Sequence, residues 1–381
     1  MPLPDLTASS DPAASDRAAL SQVAADPAAH AEVRFPGHGA RPVSLADVAL
    51  LAGVSSDTAS RALTRPTMIS EPTRRRVVAA VEKLGYVANG AARALAMRRT
   101  MTVGAIIPHL RGSSFPVMIE ALETTLATRG YTLLLTAPAH RQADEAGVLR
   151  TLLERGVDAL ALVGDEHPTP VFSMLTGSRT PFVMMWAGGS REGPGVGFDE
   201  HIAAALLVDH LAELGHRRLG FIGASSVKKE RARRRLRGIE AAIGRRALEL
   251  PDESRIETDY GFLQGYQAMS QLLERETGAT AIVCGNDYLA AGALSMLARA
   301  GVAVPGAISV ASFNDNDFAP FLYPPLTTVR LPIRQMGEQA GQLLLSKLLQ
   351  EPPPLVAPLH VELVRRHSTG PALQPAMRSP T

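Results

Sequence analysis

Two hydrophobic patterns divide the chain. From Leu45 to Leu84 apolar residues recur at helical spacing, whereas from Thr102 onward short apolar runs alternate with helical stretches. In the first region Leu45, Val48, Ala49 and Ala52 mark one face of a short helix broken at Gly53 and Val54. Ser55 is placed to cap a second helix running to about Leu63, with Ala59, Ala62 and Leu63 turned inward. Ser70, Glu71 and Pro72 open a third helix, whose apolar face of Val77, Val81 and Leu84 closes a small core before Gly85. Two helices joined by a tight turn, the second capped, make a helix-turn-helix, in which the second helix enters the DNA major groove. Its exposed start, Ser55, Ser56, Asp57 and Thr58, is short and polar. A plain helical hairpin is the bland alternative on spacing alone.

In the second region the apolar runs TVGAIIP, YTLLLTA, DALALVG and PFVMMWA are separated by helical patterns at Pro116–Arg129, Gln142–Arg155 and Pro168–Ser178. After GVGFDE and a helix at His201–Leu214 the pattern restarts. RLGFIGA, a strand near Ser254–Thr258, AIVCGND and ISVASFN alternate with helices around Arg231–Gly244, Gly261–Glu276 and Tyr288–Ala300. Short buried strands spaced by helices are parallel strands in βαβ units, and two series predict two doubly wound lobes. Ligands of such sheets sit beyond the carboxyl ends of the strands. The candidate junctions are Pro108 to Phe115, Ala137–His140, Trp186, Phe198–Asp199, Asn286–Asp287 and Phe313–Asp315.

Charge sharpens the division. Residues 41–100 hold ten Lys or Arg against four Asp or Glu, although the whole chain carries only +2, so the remainder is net negative. A basic helical module on a near-neutral body fits phosphate neutralisation by that module. No apolar run approaches the ~20 residues of a membrane span, and the N-terminus lacks the basic-then-apolar layout of a signal peptide, so a cytoplasmic protein with no membrane partner is expected. The single cysteine, Cys284, excludes an intrachain disulfide framework and a cysteine-based zinc cluster. No GxxxxGK[ST], GxSxG or HExxH motif occurs and the ten histidines are scattered. No catalytic residue, metal site or cofactor is therefore expected, and the protein is read as a non-enzyme.

The stretch SLADVALLAGVSSDTASRAL, followed by YVANGAARALAMRRT, resembles the headpiece of the LacI/GalR family of bacterial transcription regulators. The matches are Asp47, Val48, Ala49, Ala52, Gly53, Val54, Ser55, Thr58, Ser60, Arg61 and Leu63, then Tyr86, Asn89, Ala92, Arg93 and Leu95. The resemblance runs from about Pro42 to about Thr369. It implies an all-α helix-turn-helix headpiece on a periplasmic-binding-protein-like α/β body of two doubly wound, parallel-sheet lobes. The expected layout is a disordered extension at 1–40 (or a start codon placed too far upstream), the headpiece at 41–88, a hinge helix at 89–101, the body at 102–369 and a flexible tail at 370–381. Lobe 1 takes about 102–198 and 331–349, and lobe 2 about 199–328 and 355–369. The chain should cross between them near Phe198–Asp199, near Thr328–Leu331 and after Leu349. The DNA-binding set is Ser44, Ser55, Ser56, Asp57, Thr58, Ser60, Arg61, Asn89, Ala92, Arg93 and Leu95. In the family the leucine matched by Leu95 wedges into the minor groove, while Arg61 and Arg74 to Arg76 would contact phosphates. Asp57 departs from many members, and either accepts from a cytosine amine or only favours the helix N-terminus.

For an effector the candidates are His109, Phe115, Trp186, Arg235, Asn286 and Asn314. Asn286 and Asp287 match a family pair whose amide meets sugar hydroxyls and whose acid caps the next helix, and Arg235 matches the arginine of R-x-x-G. The rest of KKERARRRLR (Lys228–Arg237) reads as a solvated helix face. Asn314 and Trp186 stand where sugar-binding members commonly, or in several cases, carry acids. The cleft is thus less negative, which favours a sugar acid, and the PFVMMW ending resembles gluconate-responsive members. The function expected is a ligand-responsive regulator, a repressor by preference. It would bind a near-palindromic double-stranded operator as a homodimer, under a sugar or gluconate-like effector. A solute-binding protein of the same fold without a DNA role is the alternative.

Overall fold

The computed structural model describes residues 41–88, 90, 94, 99–110, 114–137, 145–187, 194–225, 230–355 and 357–373. They fall into two units, divided after Asn89.

The first unit holds α1 (Leu45–Ala52), α2 (Ser56–Thr64) and α3 (Glu71–Leu84). Its ends follow from local chemistry. Ser44 and Asp47 form a reciprocal capping box at α1, and Gly53 ends that helix in the left-handed conformation at φ 65°. Ser55 caps α2 by accepting from the Thr58 amide. Val48, Ala49, Ala52, Ala59, Ala62, Val77 and Ala80 form the core, with Leu45, Val54, Ile69, Val81, Leu84 and Tyr86 around it. Small residues let three short helices approach closely. Leu63, expected inward, lies at the surface instead: the α2 face is filled by Ala59 and Ala62, and Leu63 falls on its shoulder.

The second unit has two sheets. In the first, β1 (Thr102–Ile106), β2 (Thr132–Thr136), β3 (Ala159–Val163), β4 (Phe182–Met185) and β5 (Gly195–Val196) run parallel in the order β2-β1-β3-β4-β5. The second repeats this winding with β6 (Leu219–Ala224), β7 (Arg255–Thr258), β8 (Ala281–Cys284), β9 (Ser309–Asn314) and β10 (Thr327–Arg330), and adds β11 (Glu362–Val364). β11 pairs antiparallel with β10 at the edge. In each lobe the winding reverses beside the first strand, β1 or β6, and crevices at such points hold ligands.

Helices α4 (Phe115–Ala127), α5 (Glu145–Glu154) and α6 (Thr169–Ser178) connect the strands of lobe 1. Lobe 2 uses α7 (Glu200–Glu213), α8 (Glu230–Arg246), α9 (Phe262–Glu274) and α10 (Asp287–Arg299). The chain returns to lobe 1 after β10 as α11 (Ile333–Leu349), which packs on α4. That packing needs Gly337, where an added Cβ would lie 2.1 Å from the Met118 carbonyl oxygen. Valine, leucine, alanine and methionine side chains fill the strand interiors, with Leu160, Leu162, Met184 and Met185 fully buried.

The body extends past residue 369, so the expected flexible tail begins too early. Gly370 and Ala372 are bonded to the body, the latter through its amide to the Leu214 carbonyl. His216, just after α7, clamps this segment. Its Nδ1 meets Thr280 Oγ1 at 2.8 Å, and its Nε2 meets the Gly370 carbonyl oxygen and Ser309 Oγ at 3.1 Å each. Burial pulls the pKa of His216, and of His210 beside Thr369, below the ordinary value. Folded-state histidines of depressed pKa contribute stability that is complete above the unfolded value of about 6.5 and is lost as pH falls through the folded values. The body's melting temperature should therefore drop between pH 7 and pH 5, and His216→Gln should flatten that slope. An unchanged slope in the variant would remove this explanation.

Candidate nucleic-acid interface and ligand cleft

On the headpiece, α2 presents Ser56, Asp57 and Arg61 to solvent. Ser55 Oγ accepts from the Thr58 amide at 3.1 Å and shares a 2.9 Å hydrogen bond with its hydroxyl. Asp57 and Arg61 pair across one turn at 2.6 Å, both well exposed, so water screens the pair and either side chain can leave it at small cost. Ser60 is half-buried, and Ser44 is committed to its cap, donating to Asp47 at 2.6 Å. On α3 Glu71 takes both Arg74 and Arg75, and those hydrogen bonds, Arg74's first, lower its pKa. Asn89, Ala92, Arg93 and Leu95 lie outside the described residues, as do Pro138–His140 of one candidate junction and 111–113 of another.

The six expected effector residues converge. His109, Phe115 and Trp186 of lobe 1 line a cleft with Arg235, Asn286 and Asn314 of lobe 2, together with Ser114, Arg231 and Tyr260. Two of them sit in strained backbone: Trp186 just past β4 at φ 60° and Asn314 at the end of β9 at φ 117°. Such conformations in non-glycine residues collect at functional sites. The Trp186 amide donates to Met336 Sδ at 3.0 Å, which ties this cleft residue to α11. The rings of His109, Phe115, Trp186 and Phe198 form a chain with successive centroids 5.3, 5.7 and 5.7 Å apart. Asn314 Oδ1 is buried without a partner among the described residues, an acceptor awaiting a donor.

Arg235 differs from its expected role of gripping a ligand. Its Nε and Nη2 donate to the two oxygens of Glu200 at 2.9 and 3.0 Å, and its Nη1 to the Gly285 carbonyl at 2.6 Å. The indole of Trp186 donates to the same Glu200 at 3.0 Å. Both charged side chains are about 5% exposed, so this is a closed ion pair within the cleft wall.

Within the family pair the cap falls to the amide and not to the acid, while Asn286 still lines the cleft. Asn286 is the helix cap, its Oδ1 accepting from the Leu289 amide at 3.0 Å. Asp287 turns inward, taking Ser312 and Thr328 hydroxyls at 2.5 and 2.8 Å and the Asn316 amide and side chain at 2.6 and 3.0 Å. Burial pushes its pKa up to about 6 against those bonds. Asn316 Oδ1 in turn accepts from Ser114 of lobe 1 at 3.1 Å, so the network spans the lobes.

Nor is the arginine run a solvated face. Arg233 pairs with Glu166 and Arg234 with Asp165, both acids lying in the loop after β3 of lobe 1. Arg234 also takes Glu230 on its own helix, while burial and the neighbouring Asp165 push Glu230 up to about 7. This rim cluster fastens the lobes together. Arg234→Ala would leave Asp165 and Glu230 facing each other and weaken ligand binding by about tenfold, or ~1.4 kcal/mol. Protonating Glu230 relieves that repulsion, so the variant's defect relative to wild type should shrink from pH 8 to pH 6. A pH-independent defect in a binding titration would contradict the rim's role.

Sequence reading missed Glu200, Arg231 and Tyr260, while Ser114 falls inside the expected Pro108 to Phe115 junction. Glu200 had one signal, since it follows Asp199 at a junction. Among the described residues no group of three metal-ligating side chains occurs, and no helix is long and apolar enough to cross a membrane.

A three-helix module with a capped second helix, joined to a two-lobed body that closes on a polar and aromatic cleft, defines a DNA-binding regulator that senses a small molecule. Residues 44–89 match the family described as bacterial regulatory proteins, lacI family, and residues 208–369 match a periplasmic binding protein-like domain. The ribose operon repressor of Escherichia coli strain K12 is 32% identical over 312 residues, 81% of this chain and 93% of that protein. Among solved structures, the transcription regulator GntR from Chromobacterium violaceum is 31% identical with a TM-score of 0.67, covering 70% of this chain and 99% of that one. The lac repressor dimer bound to operator and an anti-inducer is 25% identical with a TM-score of 0.76, covering 87% and 100%. The chain belongs to the lacI family of bacterial regulatory proteins. It is a sequence-specific DNA-binding transcription regulator with an effector-binding body.

Proposed function

We propose that this protein is a repressor that binds a near-palindromic operator as a homodimer and is controlled by a sugar or sugar acid in the inter-lobe cleft. Two copies of the headpiece would read two half-sites, with protein and operator sharing a two-fold axis. Ser55, Ser56, Asp57, Thr58 and Ser60 would face base edges, Arg61 and Arg74 to Arg76 would set register on phosphates, and Leu95 would wedge into the minor groove. The site of action is the cytoplasm, on the nucleoid while DNA is bound. Two relatives favour this reading by their names: one is a ribose operon repressor, another a lac repressor dimer on its operator.

The observation that carries effector control is the cleft itself. Side chains of both lobes line it, so its occupant bears on the angle between them. A change in that angle moves lobe 1 of each protomer and with it the spacing of the headpieces. Coupling of this kind is reciprocal, typically about 5- to 150-fold in affinity. The test is titration of full-length protein onto its selected operator across a panel of sugars and sugar acids. One member should shift operator affinity within that range; a panel without effect would contradict control through a sugar-like ligand.

A further inference from the structure

The cleft contains two arginines of different standing. Arg235 is spent: its guanidinium is closed by both oxygens of Glu200 and by the Gly285 carbonyl. Glu200 is equally spent, since it also receives the Trp186 indole. A buried ion pair of this kind has no net charge to offer a ligand, and drawing either partner away would strand the other at several kcal/mol. The remaining acid nearby, Asp287, is held by four donors inside lobe 2.

Arg231 lies one helical turn before Arg235, on the same face of α8. Its guanidinium sits 5.1 Å from the Phe115 ring centroid and 5.9 Å from that of Trp186, and it lines the cleft. Among the described residues no carboxylate comes within 4 Å of it, whereas Glu230 beside it is engaged by Arg234. Burial pulls the Arg231 pKa below its usual range, against the weaker fields of Tyr260, Glu230 and Glu200. The aromatic faces offset part of that burial cost. They also hold the planar group at the cleft wall, and a guanidinium carries paired N–H donors suited to a carboxylate. Asn314, which lines the same cleft and is 8% exposed, has its Oδ1 unpartnered among the described residues, an acceptor for a hydroxyl.

Building on the reading of the cleft as an effector site, we infer that the effector is a small polyhydroxylated monocarboxylate whose carboxylate is held by Arg231, its hydroxyls meeting the Asn314 amide. Glu200 is the residue that sets this specificity. By cancelling Arg235 it leaves one cation in the cleft, matched to one negative charge, where two free arginines would favour a dianion such as a phosphate ester. A guanidinium fork binds a carboxylate through two parallel charge-assisted hydrogen bonds, which a neutral aldose cannot reproduce.

The experiment is calorimetric titration of full-length protein with matched pairs, D-gluconate against D-glucose and D-ribonate against D-ribose, with glucose 6-phosphate as the dianion. At least one acid should bind about tenfold or more tightly than its neutral partner, the advantage expected of a charge-assisted pair. Arg231→Gln should bring the acid down to the level of the sugar, and Arg231→Lys should restore part of the preference. Circular dichroism melts of each variant would verify that it is folded. Equal or tighter binding of the neutral sugar, tighter binding of the phosphate, or a preference that survives Arg231→Gln would each overturn the inference. Absence of binding by every compound, with operator recognition intact, would overturn it too while leaving the regulator reading in place. Acid-selective binding with no operator recognition would do the reverse.

Discussion

Replacing Phe321 by Glu and Tyr323 by Asp together should convert the dimer to a monomer and weaken operator binding by at least about 100-fold. These two side chains are 87% and 94% exposed, an unusual state for large rings. They follow Phe318 closely in the chain, and Phe318 packs in an aromatic trio with Phe262 and Tyr288, centroids 5.0 to 5.7 Å apart, in which Phe262 and the neighbouring Leu263 are more than half exposed. A rigid apolar patch on lobe 2 fits the core of a symmetric interface, where aromatic residues dominate binding energy. Acids there would be desolvated against their own copies. The loss at the operator is larger than the loss of any single contact, because one headpiece forfeits the effective concentration its tethered partner provides. Sedimentation velocity reads the assembly and fluorescence anisotropy the operator affinity. A variant that remains dimeric would place the interface elsewhere.

The second large effect belongs to Glu200. Glu200→Ala should destabilise the body by about 3–5 kcal/mol, because it leaves the buried Arg235 guanidinium uncompensated and the Trp186 indole without its acceptor. For a domain of this size that corresponds to a fall of about 10 °C in melting temperature. Glu200→Gln keeps an acceptor for the indole and part of the arginine's hydrogen bonding, so its loss should be distinctly smaller. Differential scanning calorimetry separates the two. An alanine variant melting with wild type would show that the pair contributes nothing to the folded body.

What sequence conveyed here depended on how local the cause was. The headpiece was readable because its signals act within four residues: Ser55 as a cap, Gly53 and Gly85 as stops, alanines at helical spacing. The strands of both lobes were readable because burial on both faces demands continuous apolar runs. Partners chosen by topology were not. Nothing near Arg233 and Arg234 in the chain announces Asp165 and Glu166, acids more than sixty residues upstream that the β3–α6 loop brings to α8. The same holds for Glu200, whose partner Arg235 lies 35 residues on. The Asn286 and Asp287 pair was found by its motif, yet which residue caps and which reaches across to β9 and β10 depends on side-chain direction, not spacing. Leu63 failed for a related reason: a helix packed through alanines has too narrow a buried face to cover a leucine at its edge.

The measurement that bears most directly on the central claim is selection of bound DNA from a random pool by the full-length protein at a stated salt concentration, with and without a candidate effector. A two-fold symmetric motif of two half-sites is the predicted result, and its arms would map onto Ser56, Asp57 and Arg61 of the two headpieces. Recovery of no enriched motif under either condition, or of a single asymmetric half-site, would contradict a dimeric operator-binding regulator.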